Sequence, residues 1–210
     1  GEVPPVKLPK GLMVIGGPAG YTVGPGMYTA RLIVGGDTLE QTFSWKANPK
    51  LEVADKDWQA QADAAGQLYG AMKALYTDVE DMRHVKKQVQ ALIVQLEAAE
   101  EPNAVLIEQG EQMVANWDSL EATLVQVKQK TFQDVINFPN KLNAELNYLL
   151  GTIMQSTPPL TKGQGEMLDD LLERWNATHA AIEKSLGADL EAYNAAISKA
   201  AVPHLSRKTK

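Results

Sequence analysis

Histidine and carboxylate side chains are the groups in this chain that could hold a metal ion, so their spacing is considered first. A dimetal site in a helical bundle takes a Glu-x-x-His pair from each of two helices and a glutamate from each of two others. The nearest match is Asp81-x-x-His84, with Glu80 four residues before the same histidine. No second pair exists, since Asn176 stands three residues before His179. The pattern therefore favours a surface pair on one helix over a metal site.

His179 lies in a run of apolar residues at helical spacing, between Trp175 and Ile182. A lone histidine in such a stripe is usually a core or boundary residue whose ring is bonded to a backbone or polar partner. We therefore expect a structural histidine and no catalytic role.

Acidic residues could also perform acid–base catalysis. Their cluster at the start of the last predicted helix contains Glu166, Asp169, Asp170 and Glu173. Negative charge near a helix N-terminus is stabilised by the helix dipole, so this cluster needs no substrate to explain it.

A glycine-rich stretch, Gly16-Gly17-Pro18-Ala19-Gly20, resembles a phosphate-binding loop only in composition. It lacks the Gly-Lys-Ser/Thr ending of a P-loop, and no Gly-x-Gly-x-x-Gly opens a helix nearby. Pro18 also removes one of the backbone N–H donors that such a loop uses. We interpret the stretch as a turn. With no nucleophile indicated either, we predict no catalytic, cofactor-binding or metal-binding residue and no cofactor.

The composition is that of a globular protein and excludes several classes of function. The 210 residues are 44% hydrophobic, with 20 Lys and Arg, 26 Asp and Glu, and no Cys. A net charge of −6 gives no general attraction to nucleic acid or to anionic lipid. The lack of Cys excludes disulfides, thiolate nucleophiles and cysteine-ligated metals. No apolar run approaches the roughly 18 residues of a membrane span.

The first fifty residues differ in character from the rest. They contain 9 of the 16 Gly and 6 of the 11 Pro, a density that breaks helices and marks turns. Between these turns lie three short β-type runs: Leu12–Ile15, Tyr28–Val34 and Thr38–Lys46. The sequence therefore predicts a small antiparallel β unit over residues 1–50.

The last two runs form a predicted hairpin around Gly35-Gly36-Asp37. Their period-two alternation places mostly apolar residues on one face of each strand. On the second strand, the residues of this face are Leu39, Gln41, Phe43 and Trp45. About three strands bury little by themselves. The unit must pack on the helices or complete a sheet whose other strands lie elsewhere, and we favour the second arrangement.

Residues 51–210 have the apolar spacing of four amphipathic helices. The first runs from Asp55 towards Glu101-Pro102 as one very long helix or two nearly collinear ones, with Gly66 and Gly70 as weak points. The second begins at the N-cap Asn103. After a connector over 132–139, the third carries Leu142 to Ile153 and the fourth carries Leu168 to Ile197. The predicted fold class is mainly α, an antiparallel four-helix bundle with a small N-terminal antiparallel β unit.

Three tryptophans, Trp58, Trp117 and Trp175, fall on the apolar faces of three different predicted helices. Together they could line a ligand pocket. Core packing explains them equally well because each buries a large area, and we interpret them as core residues.

Two stretches resemble a known family. Pro25-Gly26-Met27-Tyr28-Thr29-Ala30-Arg31-Leu32, with the following hairpin to Asn48-Pro49-Lys50, is similar to the last hairpin of an immunoglobulin-like domain, although Asn48 replaces an acidic residue of that pattern. Residues 137–149, from Asn137-Phe138-Pro139-Asn140 to Leu146-Asn147-Tyr148-Leu149, resemble the C-terminal region of large bacterial sortilin-like or BNR-repeat β-propeller proteins, often labelled glycosyl-hydrolase-like.

This resemblance implies a partial immunoglobulin-like sheet and a periplasmic or secreted parent protein. It also implies that catalytic or sugar-binding residues lie on the propeller, so no functional residue is carried over to this chain. The chain starts with Gly and shows no basic-then-apolar signal pattern. We therefore expect a piece of a longer protein, with any export signal upstream.

The leading functional hypothesis is a non-catalytic C-terminal module that packs against, or spaces, a β-propeller. The alternative is a protein-binding module that uses the open β edge or a bundle groove, and a glycoside hydrolase is the weakest hypothesis. The expected partner is the remainder of the parent chain, and an exposed hairpin further predicts a homodimer. The predicted interaction residues are Phe43, Trp45, Phe138 and Tyr148.

Overall fold

The computed structural model describes residues 2–14 and 16–200. It is mainly helical, with two small antiparallel sheets. The strands are β1 (Glu2–Val3), β2 (Tyr21–Thr22), β3 (Gly26–Val34) and β4 (Asp37–Trp45). The helices are α1 (Asp55–Glu97), α2 (Ala104–Leu124), α3 (Leu142–Gln155), α4 (Lys162–Lys184) and α5 (Leu190–Lys199). A 3₁₀ turn (Phe132–Ile136) precedes α3, and a π turn (Ser185–Asp189) joins α4 to α5 without a break.

The helix α1 forms the centre of the fold. Its 43 residues make one unbroken helix, so Gly66 and Gly70 do not divide it. The helices α2, α3 and α4 all pack against α1, and its buried side chains extend from Gln61 to Leu96. This burial outweighs the roughly 1 kcal/mol that each helical glycine costs relative to alanine.

Polar side chains set the starts of two helices. Asn103 is the N-cap of α2, as its residue type predicts, and its Oδ1 accepts a hydrogen bond from the Leu106 backbone N–H at 3.2 Å. At the start of α4, Thr161 and Gln164 form a capping box in which each side chain accepts from the other residue's backbone N–H. The chain therefore changes direction at defined residues between the helices.

The segment before the hairpin differs from the prediction. The apolar run Leu12–Ile15 is not a strand over Leu12–Val14, and Ile15 lies outside the described residues. Turns at Gly11 and Gly16, both with φ of 81°, bend the chain on either side of Leu12–Val14, so the backbone does not continue as an extended strand. The pairing in this segment is instead between β1 and β2, with Val3 opposite Tyr21.

Residues 2–14 and 16–25 lie along the helices, and we call them the N-terminal strap. The strap is held by Asn147 of α3, whose Oδ1 accepts from the Ala19 N–H at 2.7 Å and whose Nδ2 donates to the Gly17 carbonyl at 3.1 Å. Arg83 of α1 donates to the Lys10 carbonyl at 2.8 Å. The strap also buries Val6 among the core side chains of the helices.

The hairpin of β3 and β4 forms as predicted. The two strands pair along nine residues each, from Gly26↔Trp45 to Val34↔Asp37. Gly35, with φ of 62°, supplies the left-handed conformation that the two-residue turn requires. Among the described residues these strands pair only with each other. No helix in the described part of the chain is long and apolar enough to cross a membrane.

A close approach at Gly110 of α2 gives the first prediction. A Cβ at Gly110 would lie 2.7 Å from Tyr193 Oη and 3.1 Å from Ile93 Cγ1, and the Tyr193 hydroxyl is engaged with the Leu106 carbonyl. We expect Gly110→Ala to lower the free energy of unfolding by about 1–3 kcal/mol, because the buried tyrosine must shift. Urea denaturation measures the change.

Gly70 provides the matched control, since a Cβ there meets no atom within 4 Å. Gly70→Ala should raise the stability by about 0.5–1 kcal/mol through helix propensity alone. Equal changes in the free energy of unfolding for Gly110→Ala and Gly70→Ala would show that the space around Gly110 can accept a methyl group.

Candidate interaction site

The β3–β4 hairpin has one apolar and one polar face. Directly paired residues of antiparallel strands lie on the same face, and the register pairs Tyr28 with Phe43 and Leu32 with Leu39. We call this side the apolar face; its side chains are those of Tyr28, Ala30, Leu32, Val34, Asp37, Leu39, Gln41, Phe43 and Trp45, of which Asp37 and Gln41 are polar. The alternation that the sequence predicted is therefore present on both strands.

The apolar face is largely uncovered. Leu39 is 67% exposed, Leu32 58%, Phe43 45% and Trp45 41%. Within the face, the rings of Tyr28 and Phe43 lie 6.1 Å apart between centroids. The face thus exposes several large apolar side chains on a two-stranded sheet, and exposed apolar patches mark interaction sites on proteins.

The opposite face of the hairpin is mostly polar. It carries four threonine and serine residues and a pair of opposite charges, with Met27 and Ile33 as its apolar exceptions. Arg31 and Glu40 face each other across the strands and form an exposed salt bridge at 2.6 Å. A sheet with one apolar and one polar face is typical of antiparallel sheets that pack one side on a core.

The base of the hairpin is positioned by contacts with α1. A Cβ on Gly24 would lie only 3.1 Å from Ala62 Cβ of α1, and the Tyr28 hydroxyl donates to the Gly24 carbonyl at 2.6 Å. Trp45 and Trp58 line a cavity of about 380 Å³ at this junction. The Tyr28–Phe43 pair of the apolar face is therefore linked, through the Tyr28 hydroxyl, to the segment at Gly24 that approaches α1.

Phe138 and Tyr148 lie outside the hairpin. Phe138 is half-buried in the connector before α3, where Lys128 Nζ lies 6.0 Å from its ring centroid and its carbonyl accepts from Gln129. Tyr148 is on α3 and is 68% exposed. The partners of Phe138 lie within ten residues of it along the chain, and the Tyr148 carbonyl accepts from Thr152 on the same helix. Phe43, by contrast, is paired with Tyr28 on the apolar face.

The residues considered for a metal site, a catalytic role or a ligand pocket differ in their burial and contacts. His84 is exposed whereas Asp81 is buried, so the two residues of that pair do not share one environment. Trp117 and Trp175 are buried, at 1% and 5% exposure, and Trp58 is half-buried. His179 is bonded to a polar partner, the Asp78 carboxylate.

A second cavity of about 360 Å³ lies between α2 and the π turn with α5. Asn116 donates to the buried Ser185 hydroxyl in its wall at 3.2 Å. Burial raises the pKa of the Tyr193 phenol, so this hydroxyl stays protonated at neutral pH and donates to the Leu106 carbonyl at 2.9 Å. These neutral groups can orient a ligand, but they do not form a nucleophile–base pair.

Comparisons of the chain with protein-family models, with curated proteins and with solved structures found no match. The candidate interaction site is therefore argued from its geometry alone.

The sequence predicted the apolar face of the hairpin, but it did not predict that Asn147 binds the strap through two hydrogen bonds. The feature of the sequence that could have indicated these hydrogen bonds is a polar residue between Leu146 and Leu149 on an apolar helix.

Exposure of the apolar face gives the second prediction. Leu39→Ser and Phe43→Ser should each change the free energy of unfolding of the isolated chain by less than about 1 kcal/mol, because neither removes a buried side chain. Chemical denaturation followed by circular dichroism measures the change. Ile33→Ser on the opposite face, at 66% exposure, is the matched control.

A loss much larger than that of Ile33→Ser would contradict the exposure of this face. It would mean that the apolar face packs on the rest of the chain in solution.

Proposed function

We propose that this chain is a non-catalytic structural and interaction module of a larger exported protein, and that the apolar face of its hairpin packs on a β domain of that protein. The observation that carries the proposal is the uncovered apolar face, with Leu32, Leu39, Phe43 and Trp45 between 41% and 67% exposed. The wider role as the C-terminal region of a periplasmic or secreted β-propeller protein rests on the sequence resemblance.

The energetics of a lone hairpin support a β partner. An isolated two-stranded hairpin is marginally stable in water, and a third strand or a packed face is needed for independent stability. Fully burying a Leu or Phe side chain contributes about 1.5–3 kcal/mol. Covering Leu32, Leu39 and Phe43 would therefore stabilise the hairpin substantially while removing an aggregation-prone surface.

An immunoglobulin-like sandwich is the partner that fits this face. In such a sandwich two sheets pack about 10 Å apart through alternating apolar side chains. The hairpin supplies that alternation on one side, and its Arg31–Glu40 pair is suited to the solvent side. We therefore assign the hairpin to the end of an immunoglobulin-like sheet whose other strands belong to the parent protein.

The helical part would act as the spacer or support of this hairpin. We propose an antiparallel four-helix bundle in which α4, the π turn and α5 count as one helix around α1. Packing of α1 against α2, α3 and α4 supports this arrangement. The junction at Ala62 and Gly24 would then transmit the position of the bundle to the hairpin.

Binding to the parent protein is the third prediction. Calorimetric titration of this chain into the separately expressed remainder of the proposed parent should show saturable one-to-one binding. Phe43→Ser should weaken the affinity by about tenfold or more, because aromatic anchors at the centre of an interface dominate its binding energy. Thr42→Ser, on the polar face, should leave the affinity unchanged.

Two results would contradict the proposal: no binding at all, or equal binding by the Phe43→Ser and Thr42→Ser variants. A gene that encodes no β domain in the same protein would contradict it as well.

The open edges of β3 and β4 favour a second candidate function, strand addition by an outside partner or by a second copy of the chain. Both edges carry unpaired backbone groups in the described two-stranded sheet. In this second proposal the chain is an independent protein-binding module that binds its partner through the open β edge.

Self-association through the hairpin is the fourth prediction. Light scattering of the isolated chain should show a dimer as the concentration approaches the millimolar range, and Leu39→Lys should shift it to monomer by placing like charges across the interface. A strict monomer at every concentration would exclude this mode of pairing.

A further inference from the structure

We infer that Asp78, His179 and Glu183 form a binding site for one divalent transition-metal ion, of which zinc is the best fit. One ligand atom from each of the three side chains lies within 4.8 Å of the other two. The site is independent of the hairpin and of the function proposed above.

Two helices place the three ligands together. His179 and Glu183 are four residues apart on α4, a spacing that puts both side chains on the same face of a helix. Asp78 lies on α1, which packs directly against α4. The sequence alone linked His84 to the nearby Glu80 and Asp81, because a residue 101 positions away from His179 is brought to it only by folding.

The Asp78 and His179 side chains are already in direct contact. The Asp78 side chain is only 6% exposed, and His179 Nδ1 lies 2.7 Å from its Oδ2. The imidazole stacks on the Trp175 ring, with 4.8 Å between centroids and 21° between planes. Glu183 is exposed and lies at the rim of the cluster.

The donor set indicates the metal. One imidazole nitrogen and two carboxylate oxygens suit zinc, which binds nitrogen and oxygen at about 2.0–2.2 Å. Calcium and magnesium prefer oxygen ligands alone. Two carboxylates also balance the charge of a divalent ion, and water can complete its coordination. The arrangement is therefore that of a zinc site with an open position.

The distance between the Asp78 and His179 ligand atoms would change little on metal binding. Two ligand atoms on one tetrahedral zinc ion lie about 3.4 Å apart, as follows from bonds of about 2.1 Å. The present Nδ1–Oδ2 separation of 2.7 Å would have to widen by less than 1 Å. With Nδ1 bound to the ion, the neutral imidazole would carry its proton on Nε2.

The fifth prediction is one-to-one binding of Zn²⁺ by the whole chain, measured by calorimetry. His179→Ala and Glu183→Gln should each weaken the affinity by about tenfold or more, because each removes a direct ligand. His84→Ala is the matched control and should bind as the original chain does, since His84 is an exposed histidine outside the cluster. Mg²⁺ in place of Zn²⁺ should bind far more weakly.

Co²⁺ serves as a spectroscopic probe of the same site, with visible absorption bands expected from the original chain and lost in His179→Ala. Glu183→Gln keeps the size and polarity of an exposed residue, so its fold should be retained, and circular dichroism checks this. Zinc should also raise the Tm of the original chain but not that of Glu183→Gln.

The inference is overturned if Zn²⁺ does not bind at millimolar concentration. It is equally overturned if His179→Ala, Glu183→Gln and His84→Ala all bind Zn²⁺ as the original chain does, since the metal would then lie elsewhere. Neither result bears on docking by the hairpin, because the zinc titrations contain no partner protein.

Discussion

Burial of the α1 helix against its three neighbours is the interaction on which the rest of this structure depends. A helix of 43 residues is about 65 Å long. Because its first half contains two glycines, helix propensity alone would not stabilise it in isolation. The helices α2, α3 and α4 cover it, and α1 contributes more side chains to the buried core than any other element of the described residues. The N-terminal strap depends on the same helix, since Arg83 on α1 holds the Lys10 carbonyl.

Polar side chains inside this helical core connect elements that the apolar packing alone would leave free to slide. Gln61 on α1 donates to the carbonyls of Ile153 and Ser156, which fixes the end of α3 against α1. Asn147 on α3 holds the strap through both ends of its amide. Each of these groups is buried, and a buried polar group without a partner costs about 1–3 kcal/mol. Their hydrogen bonds therefore favour one register among several that the apolar surfaces would allow.

The hairpin obeys a different constraint from the helices. Its strands are stabilised by their own ladder and by cross-strand pairs such as Tyr28–Phe43, while its apolar face remains exposed. A face of this kind has the pattern of a sheet that meets a core, but the core it would meet is not formed by the described residues of this chain. The covered helix α1 and the uncovered hairpin therefore differ in the burial of their apolar side chains, and this difference underlies the interaction surface that we propose.

The sequence by itself determined the classes of element and several of their boundaries, because those depend on local chemistry. Apolar spacing predicted the helices, Asn103 predicted the start of α2, and Gly35-Gly36 with alternating strands predicted the hairpin. The apolar run at Leu12–Ile15 gave a wrong strand prediction, since a short run cannot show whether a partner strand exists. The predicted Phe43 and Trp45 fall on the apolar face, but only the tertiary structure decided that this face is exposed. The tertiary structure also decided that Asp78 contacts His179. These two residues are 101 positions apart in the sequence, and they become neighbours only when α1 packs against α4.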